Sequence, residues 1–324
     1  MKNLFFVTLI LCILISLSMS VFAANFPEKD ITYIMGSSLG GSVDLASKAL
    51  MPSLGRELGV NVITEILQGA NGAVAAYKLQ LLPPDGYTLF IHSQSLIMMQ
   101  YTGQPSINIK KLQPICQIAE DTSSIAVPID APYDTLEEFV AYAKANPGKV
   151  TVGTAGMGSI WHIAGILFEK AAGIKFKFIP YDTGGAQATV ACASGEVDAI
   201  TNSPGEQRSL AESKKIKILA VLSESRHILF PDVPTAKEVG IDVVFPVWRI
   251  IWTTAGVPEE RLQILDKAIK KATESEEYKT FMSTAGFPIR YRGYEEINEF
   301  VKQEDQLYSD ILEELGIKFT EPYD

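Results

Sequence analysis

The sequence predicts an α/β protein of two lobes, with the first lobe assembled from both ends of the chain and a cleft between the two. Three observations predict it. Behind an N-terminal leader about 300 residues remain, enough for two domains of ordinary size. Short apolar runs alternate with stretches of helical period. That alternation restarts after about residue 125, and a third block follows it.

The leader comes first. Lys2 precedes an apolar run over 4–17, and Val21-Phe22-Ala23 places small residues at the −3 and −1 positions of a cleavage site. The run is shorter than the roughly 20 apolar residues that span a bilayer. Cys12 lies inside the run and not after a small-residue exit, so a lipoprotein is not indicated. Residues 1–23 are therefore expected to be a signal peptide cleaved after Ala23, which places the mature chain in the periplasm.

In the first block, residues 31–35 predict a strand and a Gly/Ser loop leads to a helix near 42–57. Residues 61–67 predict a second strand, 71–82 a second helix, and Pro83-Pro84-Asp85-Gly86 a turn into a strand over 87–92. This order implies parallel strands joined by crossovers. In the second block, a helix over 135–145 stops at Asn146-Pro147-Gly148. Strands are expected at 150–154, 175–180, 197–202 and 216–223, with helices at 159–172 and 185–194. The third block holds an apolar stretch at 243–253 and amphipathic helices over 259–275 and 294–315. The expected division is 24–125 plus 231–324 for one lobe and 126–230 for the other. Two chain crossings make a hinge, and the cleft between lobes is where such a fold holds a ligand.

Composition narrows the function. The chain carries 28 Lys+Arg against 38 Asp+Glu, a net charge of −10, and loss of the leader removes only Lys2. So acidic a chain, with no basic cluster beyond Lys214-Lys215, is not expected to bind nucleic acid. His92, His162 and His227 are too scattered for a local zinc motif, and neither metal nor cofactor is expected. Cys116 and Cys192 either pair in an oxidising compartment or lie buried and unpaired.

Three loops share one construction: a strand, a run of Gly and small hydroxyl residues, then a helix. They begin at Gly36, Thr154 and Tyr181. Glycine lets a ligand approach the main chain, and the free N–H groups of a helix's first turn favour an anion. Ser37, Ser38, Ser42, Thr154 and Ser159 add hydroxyl donors, although ordinary βα turns with N-caps look the same. Trp248-Arg249 lies in an apolar stretch, where the guanidinium is either a strand-edge charge or a bidentate partner for a carboxylate. Enzyme motifs fit poorly. Gly36 and Gly41 have phosphate-loop spacing, but Ser42 stands where Lys is required. No G-x-S-x-G elbow surrounds Ser42 or Ser159, which leaves a hydrolase built on Ser159 and His162 as the alternative.

These same segments resemble the solute-binding proteins of tripartite tricarboxylate transporters, the Bug family, along essentially the whole mature chain. The resemblance rests on Gly40-Gly41-Ser42-Val43-Asp44, Pro84-Asp85-Gly86-Tyr87-Thr88-Leu89, and Thr154-Ala155-Gly156-Met157-Gly158-Ser159 with His162. It continues in Pro180-Tyr181, Gly195-Glu196-Val197-Asp198, Leu219-Ala220-Val221 with Arg226, Pro231-Asp232-Val233-Pro234-Thr235 with Glu238, and Trp248-Arg249. It implies a type II-like periplasmic-binding-protein fold that closes over a di- or tricarboxylate. It also implies delivery, as a monomer without catalysis, to one large and one small integral-membrane subunit; a sensor role is the other use of such a receptor. With the loops above, it makes Ser37, Ser38, Gly41, Ser42, Asn71, Ser93, Thr154, Met157, Ser159, His162, Tyr181, Asp182, Asn202 and Arg249 the candidate ligand-binding residues. The chain departs from the family pattern at Gly36-Ser37, at residues 66–72 and at Asp182-Thr183. An Asp in a carboxylate cleft suits a ligand with an ammonium group, so an amino acid is an alternative ligand.

Overall fold

The computed structural model describes residues 26–37, 39–103, 106–181 and 184–318. The expected leader, Ser38, Asp182 and Thr183 lie outside them. In β1 (Ile31–Met35) alternate side chains face opposite sides of a sheet: Ile31, Tyr33 and Met35 join one buried cluster and Ile34 another. The chain turns through glycines into α1 (Ser42–Leu58), whose Leu50 and Leu54 cover the first of those faces. β2 (Val62–Ile66) pairs parallel with β1. A 3₁₀ turn at Ala70–Gly72 leads into α2 (Ala73–Leu79), and β3 (Thr88–His92) lies parallel to β1 on its other side. This part has the parallel order that the alternation predicts.

Two elements that the sequence hid come next, the short α3 (Ser95–Met99) and the long β4 (Leu112–Thr122). Pro114 and Gln117 make β4 look unlike a strand, since proline lacks the ladder N–H. Pro114 is tolerated because it faces Trp252 beside a register shift in the ladder.

The chain then enters a second sheet. β5 (Ser124–Pro128) is followed by α4 (Leu136–Ala145), whose start is fixed by a capping box between Thr135 and Glu138. β6 (Thr151–Thr154), α5 (Ile160–Ala172), β7 (Lys177–Pro180), α6 (Gly185–Ala193), β8 (Ala199–Ile200), α7 (Pro204–Glu212) and β9 (Ile216–Val221) complete it. Its strand order is β7-β6-β8-β5-β9, parallel at β6 and antiparallel at β5. The chain returns through β10 (Pro246–Thr254), α8 (Glu259–Glu274), α9 (Glu276–Ala285), β11 (Ile289–Arg292) and α10 (Tyr294–Glu314). β10 inserts antiparallel between β3 and β4, giving a first sheet of order β11-β4-β10-β3-β1-β2. Both sheets are thus mixed. β10 and β5, each antiparallel to both of its neighbours, are the strands that arrive from the other lobe without a crossover helix, and β11 adds an antiparallel edge to the first sheet.

The two crossings run side by side and are bonded to each other. Leu222 N–H donates to Ser123 O and Phe245 N–H to Leu222 O, each at 2.8 Å, and Ser123 N–H to Phe245 O at 3.3 Å. Cys116 lies in the first sheet's core and Cys192 on α6, both buried and unpaired. Among the described residues no helix is long and apolar enough to cross a membrane.

Candidate functional site

A cavity of about 40 Å³ lies between the lobes, lined by loops at the ends of both sheets. Lobe 1 contributes Ser37, Gly41, Ser42, Val43, Asn71, His92, Ser93, Ser95 and Arg249. From the opposite side come Ala155, Ile160, Trp161, Gly184, Gly185 and Glu206. A larger open groove of about 850 Å³ runs along α1, β1 and β2 within lobe 1, with charges of both signs from Lys29, Asp30, Asp44 and Arg56. Of these two, the smaller is the one walled by loops of both lobes.

Two helix starts at this cavity are capped from across the cleft. Gly41 precedes α1 and has no side chain to cap it; the Ser42 N–H donates instead to Oε1 of Glu206 on α7, at 2.8 Å. Conversely, the Ile160 N–H at the start of α5 donates to the Ser95 Oγ of lobe 1, at 3.1 Å. Each bond satisfies a donor that no intrahelical acceptor can reach, and each exists only while the lobes are together.

Arg249 stands on β10 and is only 2 % exposed. Its Nη1 donates to the Trp248 carbonyl at 2.9 Å and its Nη2 to the Ser42 Oγ, while Nε is buried with no hydrogen-bond partner. Burial pulls its pKa down, and the carboxylates of Asp121 and Glu206 pull it back up. The Glu206 carboxyl is pushed up by burial, drawn down by the Ser42 N–H and hydroxyl and by Arg249, and raised again by Asp121. Asp121 itself receives the Ser203 hydroxyl and lies 3.6 Å from His227 Nε2.

His92 presents Nε2 to the Asn71 carbonyl at 2.9 Å, so we place its proton on that nitrogen. Burial pushes its pKa down to about 4, and nearby Arg249 adds to the fall. Gly72 lets this ring come close, because a Cβ there would lie 2.4 Å from Nε2.

Of the residues singled out from sequence, Ser37, Gly41, Ser42, Asn71, Ser93 and Arg249 line the cavity. Ser38 and Asp182 lie outside the described residues. The remaining six stand around it or away from it. Met157 is 59 % exposed on its loop. The Thr154 hydroxyl turns to Gly156 O, and Tyr181 donates to Glu196 with its ring in the second lobe's core. Asn202 supports the wall, donating to Gly185 O at 2.6 Å and to Glu206 Oε2 at 3.1 Å. Ser159 caps α5 by accepting the His162 N–H at 3.4 Å.

The Ser159 and His162 side chains are not joined. The imidazole Nδ1 accepts the Gly158 N–H at 3.0 Å, and burial depresses its pKa to about 4. Among the described residues no serine hydroxyl is bonded to an imidazole nitrogen, and no three His, Cys, Asp or Glu side chains form a metal cluster.

Sequence reasoning passed over His92, Ser95, Trp161 and Glu206. His92-Ser93-Gln94-Ser95 repeats the strand-then-small-polar pattern of the three chosen loops and was legible on that ground. Glu206 reads as an ordinary acid in the first turn of a helix, and nothing local marks it.

Comparison with known proteins agrees with this architecture. Residues 47–317 match the model of the Tripartite tricarboxylate transporter family receptor. The UPF0065 protein in the gbd 5' region of Cupriavidus necator is 30% identical over 296 residues, covering 91% of this chain and 90% of that protein. The crystal structure of a TctC solute binding protein from Polaromonas is 30% identical, with a TM-score of 0.68 over 89% of this chain and 99% of its own. MatC from Rhodopseudomonas palustris, with bound malate, has a TM-score of 0.82 at 22% identity, over 89% of this chain and 100% of its own. The chain belongs to the receptor family of the tripartite tricarboxylate transporters, the Bug family.

Proposed function

We propose that this protein captures a small organic carboxylate between its lobes in the periplasm and delivers it to a membrane transporter of one large and one small subunit. The observation that carries the reading is the buried Arg249 Nε, a cationic donor with no protein partner, in the wall of a cavity enclosed by both lobes. A buried donor left unpaired is costly, and a ligand oxygen relieves it. The start of α6 at Gly185, which no side chain caps, adds a main-chain N–H suited to the same anion. The malate held by MatC is consistent with this class of ligand. We place Ser37, Ser42, Asn71, Ser93 and Arg249 of lobe 1 at the ligand, with closure bringing up α5, α6 and α7.

A thermal-shift panel of di-, tri- and aromatic carboxylates on the mature protein tests capture, because a ligand that binds only the native state raises its melting midpoint. Shifts by sugars or metals with none by acids would refute it. Export is tested by sequencing the N-terminus of the secreted protein, which should begin at Ala24 for cleavage after Ala23. Co-purification with the two membrane subunits tests delivery.

A further inference from the structure

We propose that Glu206 selects ligands that carry an ammonium group beside their carboxylate, so that the cleft takes a zwitterionic acid in preference to a plain dicarboxylate. This deepens the carboxylate-capture reading and rests on it.

Glu206 lines the cavity together with Arg249, and Asp121, which receives the Ser203 hydroxyl and lies 3.6 Å from His227 Nε2, acts on the same guanidinium from outside the cavity lining. The anion position at the start of α1 is already filled by the protein's own carboxylate, since Glu206 Oε1 takes the Ser42 N–H at 2.8 Å. Two of the Arg249 nitrogens are likewise engaged by Trp248 O and Ser42 Oγ. What remains for a ligand carboxylate is the buried Nε of Arg249 with the main-chain N–H of Gly185, since the Gly184 N–H is taken by the Tyr181 carbonyl at 3.2 Å. A second ligand carboxylate meets Glu206 in the same small cavity, and like charges repel there more strongly than in water.

Glu206 is also fitted to receive a cation. A carboxylate has about four lone-pair positions, and the bonds of Glu206 from Ser42 N, the Ser42 hydroxyl and Asn202 Nδ2 leave one acceptor position in the cavity wall. Gly185 lets it come close: a Cβ there would lie 2.5 Å from Glu206 Oε2 and 2.7 Å from Trp161 Nε1. An ammonium bound here restores the balance of charge that the second carboxylate upsets. Ammonium on Glu206 and carboxylate on Arg249 Nε then anchor the two ends of one small molecule.

Calorimetry with acids matched except for the α-amine decides the matter, using succinate against aspartate and glutarate against glutamate. Wild type should bind the amino member of the better pair about tenfold or more tightly, the scale of one charged hydrogen bond. Glu206→Gln, which keeps an oxygen for the Ser42 N–H, should erase that preference by weakening the amino member well beyond any change in the plain acid. A wild type that binds the plain acid as tightly as its amino partner overturns the proposal, and that comparison needs no variant. Equal losses for both members in Glu206→Gln also overturn it, since they mark a residue that holds the lobes together. In both cases capture stands. If no carboxylate binds at all, capture falls with it.

Discussion

The Ile160 N–H of lobe 2 ends on the Ser95 Oγ of lobe 1, 3.1 Å away, so the start of α5 is completed by a hydroxyl from the opposite lobe. Ser95 is buried in the closed form. When the lobes part, water can take over the N–H, so the bond favours the closed state specifically. Ser95→Ala leaves that donor unpaired only on closure, and should disfavour closing by about 1–2 kcal/mol. Ligand affinity should then fall about 5- to 30-fold, with little loss of melting temperature in the free protein. Titration calorimetry and a melting curve read the two quantities separately. An affinity equal to wild type would show that closure does not depend on this cap.

Glycines 156 and 158 separate backbone strain from interlobe contact. Both have positive φ, +96° and +75°, so an alanine at either is strained. Around Gly156 a new Cβ meets open space, whereas at Gly158 it lies 2.8 Å from Thr102 across the cleft. Gly156→Ala should lower stability with little change in affinity. Gly158→Ala should do both, and adding Thr102→Gly, which removes every atom in the way, should restore most of the binding. If the two alanine variants bind ligand equally well, the Gly158–Thr102 contact plays no part in closing.

The contrast between these residues and those chosen from sequence shows what was legible. Strands such as β1 announce themselves, because Ile31, Tyr33 and Met35 keep a period of two on one face. The glycine loops likewise mark the ends of strands, and from them Ser37, Gly41 and Ser42 were placed. Ser95 and Glu206 act through partners 65 and 164 residues away, and local pattern carries no signal of that distance. In the motif around Thr154, read as a row of ligand groups, Ala155 lines the cavity and Met157 is exposed, while three polar side chains are engaged within the lobe. Thr154 bonds Gly156, Ser159 caps α5, and His162 closes its own loop. β4 was missed for a related reason: Pro114 reads as a strand breaker, and it is tolerated at a register shift where Ile115 of β4 is the extra residue against Ile251 and Trp252 of β10, far along the chain.

The Ser159 hydroxyl serves as a helix cap, and its removal should read as such. Ser159→Ala should cost about 0.5–1 kcal/mol of stability, the low end for an N-cap because the 3.4 Å contact is long. A serine-directed fluorophosphonate should leave Ser159 unlabelled, since His162 Nδ1 is engaged by Gly158 N–H and is not available as a base. Stoichiometric labelling that disappears in Ser159→Ala would instead reveal a hydrolytic serine.

Histidine burial sets the last prediction, the loss of stability in mild acid. His92 and His162 ordinarily titrate near 6.5, and burial holds both at about 4 in the folded chain. Between those values the unfolded chain binds protons that the folded chain refuses, so their contribution is complete above pH 6.5 and is lost as pH falls towards 4. Buried carboxyls with raised pKa, such as Glu206 and Glu304, work the other way: the folded chain takes their protons first, and their protonation steadies it as pH falls. A variant isolates the histidine part from that opposition. His162→Gln keeps an acceptor for the Gly158 N–H and removes the titrating ring. From pH 7 to pH 5 it should lose about 2 kcal/mol less unfolding free energy than wild type. Urea titrations at the two pH values give that difference directly, and parallel losses in the two proteins would mean that His162 is protonated in the folded chain as readily as in the unfolded one.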